Sequence, residues 1–361
     1  MSVERWFWGL GNGAISEAAL ESRSPARPMA KTTTSHLIRS FRWLLVCSCV
    51  SLLVSCSDVG EVAVLKLAHG LDTGHSVHKG MEFMARRVSE LSGGGMRIDI
   101  YPNGQLGGER DTVELVQVGS IAMTKVSTSP LEAFVPTMKV FSIPYVFRDQ
   151  THFFQVLDSE IGKELLQSTE VALLRGLGYY DAGSRSFYTI EKPVNSPSDL
   201  AGMKIRVQES QTSVRMVEAL GGSATPIAWG ELYTALQQGV VDGAENNAPS
   251  FYLSRHYEIA KYYSLDAHTF VPDILLMSSR VWHSMTDQQQ RWLQQAVDES
   301  VEYQRELWKQ ARIEALEAVR AAGVVVTNPD KKPFQDAVSG MQREYSGTEV
   351  GELLDRIRRV E

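Results

Sequence analysis

The chain has 361 residues, of which 43% are hydrophobic and 22% are charged, as is usual for a folded globular protein. Of its 36 basic and 43 acidic side chains, six basic and three acidic ones lie in the first 56 residues, so the remainder carries 30 against 40, a balance of −10. This acidic balance argues against a nucleic acid as the partner.

The N-terminal stretch ends in a pattern that is typical of a bacterial lipoprotein signal. Three basic residues between 31 and 42 precede an apolar run over 43–54, which is too short for a comfortable membrane-spanning helix. Leu-Val-Ser-Cys follows and matches the lipobox, which predicts that Cys56 is lipidated and becomes the first residue. An ordinary signal cleaved slightly downstream is the alternative. Residues 1–28 do not resemble a signal, so Met29 is an alternative start.

The first part of the mature chain predicts strands that alternate with helices. Apolar alternation predicts strands over 62–68 and 96–100, and an apolar run predicts another over 121–126. Amphipathic spacing predicts a helix over 77–91 and a second helix after Gly108. This order predicts parallel strand pairing with helices packed over the sheet.

A longer helix and two further strands are predicted next. Asp149 is placed to cap a helix that reaches Leu166. Strands are predicted over 172–180 and 185–190, and the first of them is apolar enough to be buried. The glycine and small residues at 181–184 predict the point where the chain crosses between two lobes.

The central block, residues 203–247, predicts the same alternation of strand and helix. A strand is predicted over 204–207, then a helix over 211–220 that is closed by two glycines. Apolar spacing predicts a second helix over 229–238, and Val240 and Val241 predict the start of a strand.

Four side chains of this block fall at predicted strand ends and helix starts: Arg206, Trp229, Asn246 and Asn247. Such positions bind ligands in open α/β sheets. On spacing alone, an arginine in a surface ion pair and asparagines that form turns fit equally well.

The C-terminal part predicts two strands and one very long helix. The strands are predicted over 257–263 and 273–278. Thr286 begins a capping box, and the helix that it opens is predicted to reach Ala322, roughly 54 Å at 1.5 Å per residue. A coiled coil is the rival interpretation, but strict heptads are absent. A short strand over 323–327 and a polar helix complete the chain.

Five pieces in this order resemble the solute-binding proteins of tripartite ATP-independent periplasmic (TRAP) transporters. They are YPNGQLGGER, SIPYVFRD, DLAGMKIRV, ATPIAWGELYTALQQGVVDGAEN and the long helix from Thr286. Within that family, ENNAPSFYLSRHYEIAKYYSLDAHTFVPD resembles the branch that binds sugar acids, uronates especially. The resemblance covers about residues 62–328.

The resemblance implies an α/β, two-lobed periplasmic-binding-protein fold with a long helix that spans both lobes. Lobe I is then expected to hold residues 61–182 plus about 272–311. Lobe II is expected to hold residues 183–271 plus about 312–361. Residues 1–56 form the N-terminal extension and signal.

The resemblance also implies the residues that hold the ligand. Arg206 corresponds to the arginine that clamps a carboxylate, whose fork matches two parallel hydrogen bonds. Arg185 corresponds to a second arginine that reaches the ligand. Asn246 corresponds to the binding asparagine, and it is expected to offer one donor and one acceptor to hydroxyls.

Further ligand contacts are expected, and most of these residues also have an alternative, purely structural interpretation. Glu109 falls where the family holds an acidic or polar contact, although an acid in the first turn of a helix fits as well. Lys125 is a candidate contact or a snorkelling edge lysine. Trp229 is a candidate wall for the carbon face of the solute, or a core aromatic. Asn247 and His75 are further candidates.

Metal, cofactor and catalytic sites are not indicated by the sequence. His75 and His78 stand three apart, but no third ligand is evident, and all three cysteines lie within the first 56 residues. The sequence contains no metalloprotease, nucleotide-binding or nucleophile-elbow motif. No cofactor is therefore expected.

These observations favour an extracytoplasmic receptor, anchored through Cys56, that captures a hexuronate such as glucuronate or galacturonate for the TRAP permease subunits. Because the chain has no nucleotide site, the energy for uptake is expected from the ion gradient of the partner. Capture of another organic acid, a dicarboxylate or an aldonate, is one alternative. A sensor lipoprotein for a signalling partner and an envelope enzyme that uses Glu109 and a histidine are the others.

Overall fold

The computed structural model describes residues 62–361 as an α/β fold with two mixed sheets. Strands and helices are numbered here in chain order. The strands are β1 (Ala63–Ala68), β2 (Met96–Tyr101), β3 (Met123–Ser127), β4 (Leu174–Tyr180), β5 (Ser184–Thr189), β6 (Lys204–Val207), β7 (Ser223–Pro226), β8 (Gly243–Asn246), β9 (Tyr262–Phe270), β10 (Asp273–Ser278) and β11 (Val325–Thr327).

The helices of the same part of the chain cover both sheets. They are α1 (Ser76–Leu91), α2 (Glu109–Gln117), α3 (Thr128–Leu131), α4 (Gln150–Leu157), α5 (Glu160–Ser168), α6 (Gln211–Ala219), α7 (Leu232–Gln237), α8 (Ala248–Leu253), α9 (Ser279–Ser284), α10 (Asp287–Ala321), α11 (Lys332–Arg343) and α12 (Glu349–Arg358). Short 3-10 helices include Trp229–Glu231 and His256–Glu258.

The first sheet has the strand order β2-β1-β3-β10-β4. β1 pairs in parallel with β2 and with β3, as the alternation of strands and helices predicted. β10 is antiparallel to both of its neighbours, β3 and β4. A strand from late in the chain is therefore inserted into the sheet of the N-terminal strands.

The second sheet has the order β11-β9-β5-β8-β6-β7. The chain passes from the first sheet to the second through residues 181–183, between β4 and β5, where the crossing was predicted. It returns through residues 271–272, between β9 and β10. The two crossings run side by side, because β4 pairs with β10 and β5 pairs with β9.

The long helix α10 has 35 residues and contributes to the cores of both sheets. Its first half places Leu293 and Val297 in the core around β1 and β10. Its second half places Ala315 and Val319 in the core around β5, β8 and β9. The predicted cap is confirmed, since the hydroxyl of Thr286 accepts from the N–H of Gln289. A helix that spans both lobes was thus predicted correctly.

A buried glutamine joins this helix to the first crossing. The amide oxygen of Gln304 accepts from the N–H of Asp181 at 2.8 Å, and its NH₂ donates to the carbonyl of the same residue at 2.8 Å. Helix α1 packs here closely, because a Cβ on Gly80 would lie 2.9 Å from Cβ of Gln304. Glycine is therefore needed at the contact of α1 with α10.

The single helix predicted from Asp149 to Leu166 was wrong, because the chain turns at residues 158–159. Asp149 does cap α4, but Ser159 caps a new helix, α5, by accepting from the N–H of Ile161 at 3.1 Å. A Cβ on Gly162 would lie 2.0 Å from the carbonyl oxygen of Leu157, so this turn requires glycine.

The strand predicted from Val240 and Val241 was also wrong. The N–H of Val240 closes α7 by donating to the carbonyl of Ala235 at 2.9 Å, so it cannot join a strand ladder. Val241 is buried in the core, and β8 starts two residues later.

The strand predicted over 257–263 lies in a different place. Residues His256–Glu258 form a 3-10 helix, and the N–H of Ala260 bonds to the carbonyl of His256 at 2.9 Å. The strand β9 runs instead from Tyr262 to Phe270, where it pairs with β5 and β11.

The N-terminal predictions fall on residues that the structure does not describe. The extension, the signal and the lipidation site at Cys56 all lie outside residues 62–361. Within the described range, no helix is both long enough and apolar enough to cross a membrane. The exact lobe boundaries remain predictions.

Candidate functional site

A cavity of about 600 Å³, with its open mouth included, lies where strand ends of the two sheets meet. Seven of the eight predicted ligand residues line it: Glu109, Lys125, Arg185, Arg206, Trp229, Asn246 and Asn247. Side chains that were not predicted also line it, among them Ser127, Gln208, Ser250 and Asp273.

Arg206, in β6, is a buried guanidinium group without an acidic partner. Its side chain is 2% exposed, and Nε donates to the carbonyl of Ile227 at 2.8 Å. Its Nη1 is buried and has no acceptor among residues 62–361, and within that range the arginine forms no ion pair. Burial therefore lowers the pKa of Arg206, and the side chain holds hydrogen-bond donors ready for an anion.

Trp229 stands beside this arginine at the start of its 3-10 helix. The Cζ atom of Arg206 lies 5.8 Å from the centre of the indole ring, within the range of a cation–π contact. The ring also meets His256 edge-on, with 5.1 Å between the ring centres. Packing of this kind fixes the orientation of the indole at the cavity wall.

Arg185, at the start of β5, is neutralised by an acid that the sequence interpretation missed. Its Nε and Nη2 both bond to the carboxylate of Glu245, the latter at 2.8 Å. Nη2 also donates to the backbone carbonyl of Glu245 at 2.8 Å, and Nη1 donates to Oδ1 of Asn246 at 2.9 Å. Only one N–H of Nη1 is left for a ligand.

Two further buried residues, His268 and Asp266, extend this network behind the cavity. His268 lies between two acids, with Nδ1 2.8 Å from Oδ2 of Asp266 and Nε2 3.5 Å from Oε2 of Glu245. Burial alone would lower the pKa of His268, but the two carboxylates raise it to about 9. Burial likewise raises the pKa of Glu245, yet Arg185 and His268 hold it at about 2. The two cations, Arg185 and His268, thus neutralise the two acids, Glu245 and Asp266.

Asn246 and Asn247 have more restricted roles than was expected. Oδ1 of Asn246 accepts from Arg185 and from the N–H of Asn247 at 2.8 Å. The expected acceptor for a hydroxyl is therefore in use, and the NH₂ group is left as donor, with the amide orientation assigned from these bonds. Asn247 caps α8, because its Oδ1 accepts from the N–H of Ser250 at 2.8 Å.

The opposite wall holds a lysine between two carboxylates. Nζ of Lys125 lies 3.2 Å from Oδ2 of Asp273 and 3.4 Å from Oε1 of Glu109. Burial would lower the pKa of Lys125, but the two acids outweigh that effect and raise it. Ser127 fixes both acids, since its N–H donates to Glu109 at 2.9 Å and its hydroxyl donates to Asp273 at 3.0 Å. Neither a snorkelling lysine nor a purely dipole-stabilised acid describes this wall.

His75 does not line the cavity. It caps α1, with Nδ1 accepting from the N–H of Val77 at 3.2 Å, and its Nε2 lies 3.4 Å from the hydroxyl of Ser250. Burial lowers the pKa of His75 to about 4, so the ring is neutral at pH 7. Its contact with the cavity is therefore indirect, through Ser250.

The two histidines considered as a metal pair have separate partners. Nδ1 of His78 lies 2.9 Å from Nε2 of His69, while His75 faces Ser250. Within residues 62–361, no three His, Cys, Asp or Glu side chains are grouped so that they could hold a metal ion.

The site therefore combines one unpaired cation with several fixed polar groups. Lys125 and Arg185 each face a carboxylate, whereas Arg206 has none in the described part of the chain. The carboxylates of Glu109 and Asp273 can accept hydrogen bonds, and the amide of Asn246 can donate them. This arrangement suits a solute with one anionic group and several hydroxyls.

Residues 67–348 match the family described as bacterial extracellular solute-binding protein, family 7, or DctP. The match spans most of the chain and all of the cavity residues named above. The chain belongs to this family. The resemblance to TRAP solute-binding proteins is thereby confirmed.

Several solved structures are similar to this DctP family member over nearly their whole length. A TRAP periplasmic solute-binding protein from Bradyrhizobium sp. BTAi1, in complex with galacturonate, is 40% identical; the alignment covers 81% of this chain and 99% of that one, with a TM-score of 0.80. One from Anaerococcus prevotii, with bound glucuronate, is 38% identical over 82% of this chain and 98% of that one, with a TM-score of 0.81. A protein of Salmonella typhimurium is 40% identical over 277 residues, 76% of this chain and 84% of that protein.

The similarity to these structures confirms the predicted two-lobed fold of a periplasmic binding protein. It also fits the two sheets of this DctP family member, its paired crossings and the helix that serves both cores. Proteins of this family are extracytoplasmic receptors that work with membrane permease components.

Two acids of the site, Glu245 and Asp273, were missing from the sequence interpretation. Glu245 lies in GAENN beside a recognised asparagine, and Asp273 lies between Pro272 and an apolar strand. Asp273 begins β10 and Glu245 is the third residue of β8, and every residue of both strands is buried. An acid within a buried strand was the signal that could have identified both residues, because a buried acid needs a cation close by.

Proposed function

We propose that this chain is a TRAP receptor that captures a hexuronate, such as glucuronate or galacturonate, for uptake by the permease. The observation that carries the proposal is the buried, unpaired guanidinium of Arg206 at the cavity wall. The two solved relatives with bound uronates support the choice of solute.

A carboxylate on the solute would supply what Arg206 lacks. Burying an unpaired charge costs several kcal/mol, whereas a buried and hydrogen-bonded ion pair avoids that penalty. Hydrogen bonds to charged groups contribute about 1.5–3 kcal/mol each. The single free N–H on Nη1 of Arg185 supplies one more donor toward the same wall.

The remaining groups suit the hydroxyls of a sugar ring. Glu109 and Asp273 accept hydrogen bonds from hydroxyls, while Lys125 and the NH₂ of Asn246 donate to them. Trp229 offers an apolar face to the carbon side of the ring. A dicarboxylate would leave this row of polar groups without partners, which is costly in a closed cavity.

The test is calorimetric titration of the purified protein with glucuronate, galacturonate, gluconate, succinate and glucose. The proposal expects tight binding of at least one uronate and no measurable binding of glucose. Equal affinity for glucose and glucuronate would refute the role of the carboxylate. Tight binding of succinate or gluconate without uronate binding would keep the family and replace the solute class.

We further propose that the chain catalyses no reaction on its solute. The carboxylates of the site are held by Lys125, Arg185 and Ser127, which favours binding over proton transfer. Recovery of unchanged glucuronate after long incubation at saturating protein is expected by chromatography. A converted product would support the envelope enzyme instead.

We also propose that the mature protein is a lipoprotein anchored through Cys56, which follows Leu-Val-Ser. Mass spectrometry of membrane-extracted protein should then find acyl chains on Cys56 as the first residue. A mature form that is soluble and starts beyond this cysteine would contradict the anchor, but would leave the binding proposal intact.

The two lobes are proposed to divide as residues 61–182 plus about 272–311 and residues 183–271 plus about 312–361. The sheet membership of the strands on each side of the two crossings supports this division. The exception is helix α12, which packs Val350, Leu353 and Leu354 into the core of the first sheet and therefore lies with the first lobe. Hydrogen exchange should show two blocks of protection that meet within these limits. Uniform protection across these boundaries would contradict the proposed division.

A further inference from the structure

A second cavity lies behind the first, on the other side of Asn247. With its open mouth included, it measures about 1300 Å³, and Asn247 lines both cavities. Its walls come from the segment before α4, the first turn of α8, the crossing at Gly183 and the second half of α10. None of the residues assigned above to solute binding, apart from Asn247, takes part in it.

One part of the wall of this second cavity is apolar. Phe147 and Phe270 line it edge to face, with 6.3 Å between their ring centres, and Leu316 and Trp308 of α10 line it from the helix side. Such a wall favours an occupant with an apolar body about the size of one ring.

A buried hydrogen-bond donor lies at this wall. Trp308 is fully buried, and its indole N–H has no acceptor among residues 62–361. Its Nε1 lies 3.1 Å from the place where Gly183 would carry a Cβ, and Gly183 itself lines the cavity. Leaving a buried donor without a partner costs free energy, so an acceptor on an occupant would stabilise this site.

The mouth of the second cavity is basic. Arg148, Arg312 and Lys331 line it. Arg148 is fixed by two C-terminal carbonyls, including that of Val360 at 2.7 Å, while Arg312 and Lys331 form no ion pair within the described part of the chain.

The acid that lines the same cavity, Asp149, already accepts from the N–H of His152 as the cap of α4. Three cations line the cavity against this one occupied carboxylate. The buried Asp181 also interacts with Arg312, but its oxygens already accept from Gln150 and from the N–H of Gly183. The local potential at the mouth therefore favours an anion.

We propose that the second cavity binds a small amphipathic carboxylate that differs from the transported solute. Its apolar body packs against Phe147 and Leu316, and its carboxylate faces Lys331 and Arg312. An oxygen at the far end of the body accepts from the indole N–H of Trp308. The proposal goes beyond uronate capture and does not depend on it.

The probe for this site is 4-hydroxyphenylacetate, which has a carboxylate, one ring and an oxygen at the opposite end. Titration uses the Arg206→Ala variant, so that the probe cannot bind through the carboxylate clamp of the first cavity. We expect a dissociation constant on the order of 1 mM, the weak affinity of a small ligand. Tyramine, which replaces the carboxylate by an ammonium group, should not bind.

Charge variants at the mouth assign the binding to this cavity. Lys331→Gln and Arg312→Gln are each expected to lower the affinity for the probe about threefold to tenfold, because each removes one partly exposed ion pair. Lys332→Gln is the matched control, because Lys332 is also exposed but pairs with Asp336 and does not line the cavity. It should leave the affinity for the probe unchanged.

A third variant tests the buried donor. Trp308→Phe keeps an aromatic ring and removes the N–H, and it should weaken 4-hydroxyphenylacetate about tenfold but leave phenylacetate unchanged. If this variant does not fold, the two charge variants decide. The proposal is overturned if the probe does not bind at a concentration tenfold above the expected dissociation constant. It is also overturned if tyramine binds equally well, or if Lys332→Gln weakens the probe as much as Lys331→Gln does.

Discussion

The other buried cations around the solute cavity are paired with carboxylates, and Arg206 stands apart from them. Lys125 faces Glu109 and Asp273, and Arg185 faces Glu245. Groups that are already paired keep their geometry whether or not a solute is bound. They therefore preorganise the site, while the unpaired arginine supplies the affinity for an anion.

His268 makes the stability of the fold depend on pH. Asp266 and Glu245 outweigh the effect of burial and raise its pKa to about 9, whereas an unfolded histidine titrates near 6.5. The folded state thus holds a proton that the unfolded state has lost in this window. The stabilisation is complete below about pH 6.5 and is lost as the pH rises through 9, by up to about 3 kcal/mol.

Chemical denaturation from pH 6 to 10 measures this effect. The free energy of unfolding of the wild type should fall across the window, and His268→Gln should flatten that fall. His283→Gln is the matched control, since His283 is exposed. Parallel slopes for the wild type and His268→Gln would show that this histidine is not the group that titrates.

The sequence predicted which residues line the cavity more accurately than it predicted the role of each residue. Arg206 and Asn246 follow from their motifs, because a strand end fixes where a side chain points. The partner of Arg185 did not follow, because Glu245 reaches it only through the antiparallel pairing of β5 with β8. Pairing between distant strands is not visible in local spacing.

At the scale of elements, the contact between α1 and α10 depends on one glycine. Gly80→Ala adds a methyl group 2.9 Å from Cβ of Gln304, the residue that holds the first crossing. We expect this substitution to lower the free energy of unfolding by about 1–3 kcal/mol, as overpacking does. Intrinsic helix propensity alone would predict a gain of about 1 kcal/mol.

Gly340→Ala in α11 is the matched control, because a Cβ there meets only the end of Arg343, 4.0 Å away. It should stabilise the protein by about 0.5–1 kcal/mol. Both variants are compared by denaturant unfolding. A gain in both would mean that the close approach of α1 to α10 does not constrain the fold.

The elements that were predicted correctly are those with long periodic patterns or local caps. The 35-residue helix α10 and its capping threonine are of this kind. One of the errors falls at a short apolar pair that fits either a strand or the end of a helix. Val240 resembles a strand residue, but its N–H is needed to close α7, and no local signal shows which bond forms.

At the scale of the whole molecule, several hydrogen bonds join the two proposed lobes, and one of them involves Glu132. Oε1 of Glu132, just after α3, accepts from the N–H of Thr212 in the first turn of α6 at 3.0 Å. A carboxylate at a helix N-terminus is favourable. Because the lobes must approach each other for this bond to form, it stabilises the closed state.

Glu132→Ala should therefore weaken uronate binding about tenfold, although Glu132 does not line the cavity. The melting temperature of the ligand-free protein should remain unchanged, and Glu218→Ala, an exposed acid of α6, should leave both quantities unaltered. Calorimetry and thermal unfolding measure the two. An equal loss of stability without ligand would indicate a purely structural role.

Closure itself is expected to reduce the radius of gyration when uronate binds. The two crossings at residues 181–183 and 271–272 allow a hinge, and α10 connects both cores. Small-angle scattering with and without saturating ligand measures the change. An identical profile in both conditions would contradict hinge closure.

The central claim, that Arg206 clamps the carboxylate of the solute, is tested most directly by titrating glucuronate and galacturonate into the wild type, Arg206→Ala and Arg206→Lys. Two lost hydrogen bonds to a charged group predict that Arg206→Ala binds about 100-fold more weakly or worse. Arg206→Lys should recover little, because an ammonium group cannot reproduce the two parallel bonds of the guanidinium fork. Binding by folded Arg206→Ala within about threefold of the wild type would contradict the account.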